Sequence, residues 1–480
     1  MTAPSRPPVI LMEFNELCPD LLDRWIGERR LPNFARLQAM SDVFVTDADV
    51  TDPAQLEPWI QWYSAHTGLA YDQHRVFHLT DGAGAGHDDI FKLMIDAGHR
   101  VGSFASMNLA PFRAKGSFYV ADPWSERRDA YPPELNVYNR FVSRQVREYS
   151  NAQAATGIGD TARFLAFLAT HGLAPSTIAM IARQLAAEKA GDARLSYRRA
   201  AILDRLQFDV FRAFYRRHRP HLASFFINST AHFQHSYWRH LDPLAFTIRP
   251  DDDEMAVYGD AVRFGYEAMD DLVGRFLRLA AASGATLIFM TALSQQPFLR
   301  HEELGGQNFH RLIKADVFLD RLGIRRLAIE PTMTHQYMAR FANAADAHAA
   351  RERLGKLRMK EGRALFDFAD RGDATVPSLY FGCQISTRTE PDAVIVDEAG
   401  EGNLRFGDHF YRIDAIKSGR HHPEGALWIA GGKGRRHEAR VSILDVFPTL
   451  VDWFGIPRPR GERRGRSLLP LLEHDEARAA

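Results

Sequence analysis

The chain has 480 residues, and its 60 Lys+Arg balance its 60 Asp+Glu, so its formal net charge is zero. That balance excludes a nucleic-acid binder that relies on a general basic field, and 45% apolar residues supply material for a large core. Two cysteines, Cys18 and Cys383, exclude a disulfide framework and CxxC-type metal spacing.

The length fits one large domain with insertions, or two to three units. Residues 1–8 lack the apolar region of a signal peptide, and no stretch approaches the roughly 18 apolar residues of a membrane span. The expectation is a soluble, cytoplasmic protein with no membrane and no nucleic-acid partner. Nothing in the sequence fixes its oligomeric state.

Val9–Phe14 is an apolar run followed by polar residues and Pro19, and it reads as a buried strand entering a loop. Residues 20–29 place Leu21, Leu22, Trp25 and Ile26 on one helical face, acidic early and basic late as the helix dipole prefers. A second helix restarts at Leu31-Pro32-Asn33 and runs through Leu37. Strand, loop, helix is the opening of an open α/β sheet. Residues 58–66 read as a helix with Pro58 in its first turn. Residues 88–97 read as a helix ended near Gly98, and 100–106 as a strand. Residues 123–206 are polar, helical and rich in Arg and Ala, which predicts an insertion rather than a sheet layer. Residues 222–228 and 286–291 are buried strands separated by a helix over 260–282, a pattern suited to a parallel sheet covered on both faces. Residues 336–341, 344–357 and 378–381 predict a small αβ subdomain. Residues 426–430 and 442–450 read as a last strand and helix. The fold class is therefore α/β, with a mixed, mostly parallel sheet sandwiched by helices. Its core is 1–122, 207–330 and 405–472, with a helical cap at 123–206 and a small αβ subdomain at 331–404.

Four segments stand out in order: ILMEFNELCPDLLDRWIGERRLPNFARL at 10–37, EPWIQWYSAHTGLAYDQH at 57–74, INSTAHFQHSYWRHLDP at 227–243, and GRHHPEGALWIAGGKG with SILDVFPTLVDWFGIP within 419–457. Together they resemble the alkaline phosphatase superfamily, in its type I phosphodiesterase and nucleotide-pyrophosphatase branch. The likeness runs from the first strand and "LPNLxRL" helix, through the nucleophile helix and a metal-binding helix, to the final His strand. It implies an alkaline-phosphatase-like core. It also implies two divalent ions, often zinc, that polarise a phosphoryl oxygen and activate a Thr or Ser.

The residues at the matching positions break that pattern. Asn15 stands where the first strand should deliver an Asp. Glu57 or Pro58 stands at the nucleophile position counted back from Thr67-Gly68. Ala231 replaces the Asp four residues before His235, and Ala292-Leu293 replaces an Asp-His pair. His235 and His421 remain. Loss of carboxylates together with metals avoids burying unpaired charge. The resemblance thus leads to no standard two-metal site and no expected cofactor. It leaves room for a single zinc on His235 and His421, with Glu57 or His232 added, since two His and a carboxylate form a known zinc set.

The remaining polar groups should converge at the carboxyl ends of the strands. Glu57 is the candidate acid, base or nucleophile, with His235 and His421 as catalytic partners. Asn15, Glu16, Trp59, His232, Tyr237 and His422 are candidate substrate-binding residues. Two carboxylates can flank a glycosidic bond, and Trp59, Trp62, Tyr237 and Trp238 can line a sugar pocket. Each has a plainer reading beside it: Glu57 as a helix N-terminal charge, the tryptophans as core, Glu13 as a residue facing away from the pocket. The GAGAG run at 82–86 lacks the Lys-Ser/Thr of a phosphate loop and reads as a flexible loop. Ser64 and Ser294 carry no activation signal. Three readings stand: a hydrolase-like enzyme acting on a phosphorylated or glycan substrate, a pseudoenzyme binding a sugar, nucleotide or protein, and a conventional metal phosphodiesterase.

Overall fold

The apolar run at the start of the chain forms the middle of a nine-stranded sheet. In order across the sheet the strands are Val441–Ser442, Ser41–Asp47, Glu424–Ala430, Thr286–Met290, Val9–Phe14, Leu222–Ile227, Val101–Phe104, Phe118–Val120 and Ala130–Tyr131. The computed structural model describes residues 6–473 except 80, 126–129, 148–156, 333–334, 370–376, 398, 401, 403, 414–415 and 433. Neighbouring strands are mostly parallel; Glu424–Ala430 and Ala130–Tyr131 run antiparallel to theirs.

Alternation along the first strand explains the two-sided core. Ile10, Met12 and Phe14 join Trp25, Phe34, Phe208 and Phe276 on one face. Val9 and Leu11 join Trp62, Phe91 and Phe447 on the other. Both faces are thus covered by helices, which is why the central strands read as continuous apolar runs.

The LPNF turn has a structural reason. Pro32 opens the helix Pro32–Ala39, and the carboxylate of Asp270, on the long helix Ala261–Ser283, accepts from the backbone N–H of Asn33 (2.9 Å) and of Phe34 (2.8 Å) and from Asn33 Nδ2 (2.8 Å). It caps the helix from outside, satisfying donors that a helix start leaves orphaned. A Cβ at Gly274 would meet Asn33 at 2.7 Å, so this approach needs glycine.

The insertion is more tightly integrated than its composition predicts. Ala130–Tyr131 extends the main sheet as an edge strand, and Leu135, Tyr138 and Val142 of the helix Leu135–Arg147 lie in the main core. Helices Ile158–Thr170 and Pro175–Ala190 follow. The late subdomain contains a four-stranded antiparallel sheet, ordered Ala328–Pro331, Gln336–Arg340, Ser378–Cys383 and Phe366–Ala369, with the helix Ala344–Gly355. No helix among the described residues is long and apolar enough to cross a membrane.

Candidate active site

The register of the sheet decides which side chains meet. Phe14 pairs with Ile227 and Glu13 with Met290, so three parallel strands end together. The antiparallel strand Glu424–Ala430 pairs Leu427 with Met290, so the chain just before it, with His421, arrives at the same edge.

At that edge the backbone of Glu16 turns with φ at +64°. A non-glycine residue in this left-handed region is uncommon, and such residues cluster at functional sites. The turn leaves the side chain fully buried, with its carboxylate between two imidazoles: Glu16 Oε2 lies 3.2 Å from His235 Nε2 and 3.6 Å from His421 Nε2. His235 comes from the helix Ser229–Leu241, and His421 from the strand Gly419–His422, which pairs with Ser294–Pro297. Glu16, His235 and His421 each offer a ligand atom, all within 4.8 Å of one another.

The other ring nitrogens are already spent. His235 Nδ1 lies 2.9 Å from the Gly419 carbonyl, and His421 Nδ1 lies 2.7 Å from the Leu56 carbonyl. A carbonyl only accepts, so each Nδ1 carries a hydrogen, which leaves Nε2 as the one ring nitrogen that can offer a lone pair. This is the arrangement that orients metal-binding histidines. A Cβ at Gly419 would stand 2.4 Å from the Gln234 carbonyl, so the clamp on His235 needs glycine. Glu16 is held from behind by Asn15 Nδ2 (2.7 Å) and Gln295 Nε2 (2.5 Å). Burial pushes its carboxyl up, but attraction to His421 and His235 and hydrogen bonds from His235 and Gln295 outweigh that and bring it to about 2. Burial pushes His421 down to about 4.

Glu57 is the N-cap residue of the helix Pro58–Thr67, and its carboxylate stands 3.5 Å from His421 Nδ1. Burial raises it to about 8 against the opposing charge of Lys417, with Glu16 adding to the rise. Lys417, which the sequence did not single out, is itself held below its usual range by burial. Gln295 was also missed; a neutral amide following the Ala-Leu pair carries no signal of its own.

The other candidates separate. Asn15 is buried, accepts from Trp62 Nε1 (2.7 Å) and donates to Asn228 (2.7 Å), so it positions Glu16 rather than facing a ligand. Tyr237 stacks its ring on Tyr258 at 4.9 Å within the core. His422 follows His421 on its strand, where adjacent residues point to opposite faces, and its Nδ1 accepts from the Glu424 N–H (3.3 Å). His232 is half-buried and is not one of the three clustered donors; burial takes it down to about 4. Trp62 and Trp238 pack in the core. Glu13 points to the opposite face and pairs with His66 at 2.8 Å. Ser64 Oγ lies 3.1 Å from His74 Nε2, but His74 Nδ1 accepts from the Val76 N–H, so Nε2 carries the hydrogen and cannot act as base toward Ser64. Gly82 packs against the Asn108 carbonyl, where a Cβ would stand at 2.3 Å, while Gly84 and Gly86 of the same run are exposed.

Ala231, Ala292 and Leu293 are fully buried, and Leu293 packs with Ala48 and Leu56. Among the described residues, Glu16, His235 and His421 form the one group of three potential ligands. Beside Glu57 lies a cleft of about 260 Å³ between the core and the small subdomain. From the helical insertion it takes only Trp124 and Arg147; Glu330, Gln336 and Tyr380 come from the antiparallel sheet of the late subdomain. The late subdomain thus covers more of the cleft than the helical insertion does.

No family model matches the chain, and no curated protein sequence does. Among solved structures it is similar to murine ectonucleotide pyrophosphatase/phosphodiesterase 5, at 12% identity over 95% of this chain and 97% of that one, with a TM-score of 0.36. It is similar to the alkaline phosphatase PafA, at 11% identity over 98% and 100%, with a TM-score of 0.47. A phosphonoacetate hydrolase from Sinorhizobium meliloti matches at 14% identity over 93% and 96%, with a TM-score of 0.39. These are proteins of the alkaline phosphatase superfamily, the family that the four sequence segments resemble. At such identities and scores nothing about activity or substrate follows for this chain.

Proposed function

We propose that the chain is a hydrolase on an alkaline-phosphatase-like fold that works with one divalent cation, held by Glu16, His235 and His421, and with Glu57 as its proton-carrying group. One observation carries this reading. Two imidazole Nε2 atoms and a carboxylate oxygen, each a potential ligand, converge within 4.8 Å. A cation among these three atoms would be ligated by the carboxylate and by the Nε2 lone pair of each imidazole once that nitrogen is deprotonated. Two His and one carboxylate form a zinc set with an open fourth position. When bound, such an ion polarises a substrate oxygen and makes water a stronger nucleophile at neutral pH.

The chain's own groups supply the rest. Glu57 stands where the resemblance leads one to expect a hydroxyl nucleophile, at a helix N-terminus and beside His421. A carboxyl there can give a proton to a leaving oxygen or take one from water. The absence of a hydroxyl at this position argues for direct attack by water, with no covalent intermediate on the helix. The substrate class is a phosphorylated or glycan-type molecule.

Elemental mass spectrometry on protein purified without chelator or nickel tests the cation. About one zinc or manganese per chain, lost in His235→Ala, is the expected result. Two per chain would restore a conventional phosphodiesterase, and none would sink the single-cation site. A second reading, a binding protein without turnover, is favoured by the apolar packing of Ala292 and Leu293 where further ligands are expected. Turnover that disappears in Glu57→Gln separates the two.

A further inference from the structure

The cleft beside Glu57 has a composition that speaks to what it holds. Its walls carry Trp59, Phe77, Trp124 and Tyr380. The Trp59 indole is pinned, because its Nε1 donates to the Phe77 carbonyl at 2.7 Å, so its face is a fixed platform. Aromatic faces are electron-rich and attract the weakly positive C–H groups of a saturated ring laid upon them.

The polar groups around that platform are mixed in kind. Tyr380 OH accepts from Thr332 Oγ1 (3.1 Å) and donates to Gln336 Oε1 (2.6 Å). With its oxygen taken, Gln336 offers a ligand its amide N–H donors, while Glu330 offers carboxylate acceptors. Donors and acceptors spread round a ring match hydroxyl groups, each of which both gives and accepts.

Charge points the same way. The one cation that lines the cleft among the described residues is Arg147. It is spent on the carbonyls of Pro123 (2.7 Å) and Ser125 (2.8 Å) and on Glu330 (3.3 Å). A phosphate inside the cleft would find its positive charge already engaged. The volume, about 260 Å³, lies below the roughly 300–1,000 Å³ of sites for drug-sized ligands. It suits one ring rather than a nucleotide.

From this combination we infer that the cleft is a subsite for one uncharged pyranose ring, seated on Trp59, with its reacting bond directed at Glu57 and the three clustered donors. This rests on the reading of those residues as the reacting site, and it names the substrate class as a glycoside or a sugar ester whose sugar ring lies in the cleft.

Ligand-observed saturation-transfer NMR on the full chain tests it, using methyl glucopyranoside, methyl galactopyranoside and methyl N-acetylglucosaminide as probes and adenosine as comparison. The expected result is transfer to the ring C–H groups of at least one pyranoside. Its Kd should weaken by about tenfold or more in Trp59→Ala and by about threefold in Tyr380→Phe. No transfer to any pyranoside, equal affinity in both cleft variants, or preference for adenosine overturns the proposal. If Trp59→Ala loses its circular dichroism signal, Tyr380→Phe decides. Zinc titration run alongside separates the two readings: sugar bound without zinc sinks the cation site alone, and zinc bound without sugar sinks the subsite alone.

Discussion

His235 Nε2 lies 3.2 Å from Glu16 Oε2 while His235 Nδ1 is occupied by the Gly419 carbonyl, so Nε2 is the ring nitrogen that faces the carboxylate. A cation that fills this gap binds the folded state and not the unfolded one. Zinc at about a hundred times its Kd should therefore stabilise the protein by about 2.7 kcal/mol. Thermal unfolding with and without zinc should show this rise in the wild type and none in His421→Ala. Gln295→Ala, which frees Glu16 to rotate, should weaken zinc by about 10–100-fold, as loss of an outer-shell partner does. A zinc-induced rise in Tm that survives His421→Ala would place the ion elsewhere.

Glu57 and His421 stand 3.5 Å apart but belong to different roles in this reading. Glu57→Gln removes the proton carrier and leaves the three donors, so zinc content should be unchanged. Turnover, assayed on p-nitrophenyl phosphate, phosphodiester and glycoside panels, should fall by about 10²–10⁴-fold, the usual scale for general acid–base catalysis. Ser64→Ala should leave turnover intact, because His74 holds the wrong tautomer toward it. Loss of zinc in Glu57→Gln would instead make Glu57 a ligand.

Much of this was legible in the sequence, for identifiable reasons. The central strands were visible because burial on both faces writes continuous apolar runs, as in Val9–Phe14 and Thr286–Met290. His235 and His421 were visible because they keep the positions of a motif. Glu16 was named only as a substrate-binding candidate, because its place between the two imidazoles depends on a left-handed backbone turn that sequence spacing does not reveal. The stacking of Tyr237 on Tyr258 was not legible, because an aromatic next to a site histidine reads the same whether it faces a cleft or another ring. The edge strand Ala130–Tyr131 was hidden by its two-residue length, too short for any period to show.

Asp270 and Asn33 illustrate a motif residue that acts on folding rather than on chemistry. Asp270→Ala removes three hydrogen bonds to the start of the helix Pro32–Ala39 and leaves buried donors unpaired. The expected cost is about 2–3 kcal/mol, read as a lower urea midpoint at an unchanged m-value. Gly274→Ala should also destabilise by pressing on Asn33. A midpoint within error of the wild type in both would mean that the helix start finds other partners.

Asp204 offers a pH test away from the three clustered donors. Burial raises its carboxyl to about 7, against the pull of the Ser229 hydroxyl that donates to it. In the unfolded chain an Asp titrates near 3.9. A raised folded value means that the folded state binds the extra proton between about pH 4 and 7. The stability it contributes is complete below about pH 4 and is lost as pH rises through about 7. Asp204→Asn is neutral at every pH, so the variant should gain on the wild type as pH rises from 5 to 8, by at most about 3 kcal/mol. Asp122, also raised to about 7, and His240, lowered to about 4, titrate in both proteins and cancel in the difference. Urea unfolding of the pair at pH 5 and pH 8 measures it. A difference that stays flat across that window would mean that Asp204 is ionised in the fold, with its charge met by something other than Ser229.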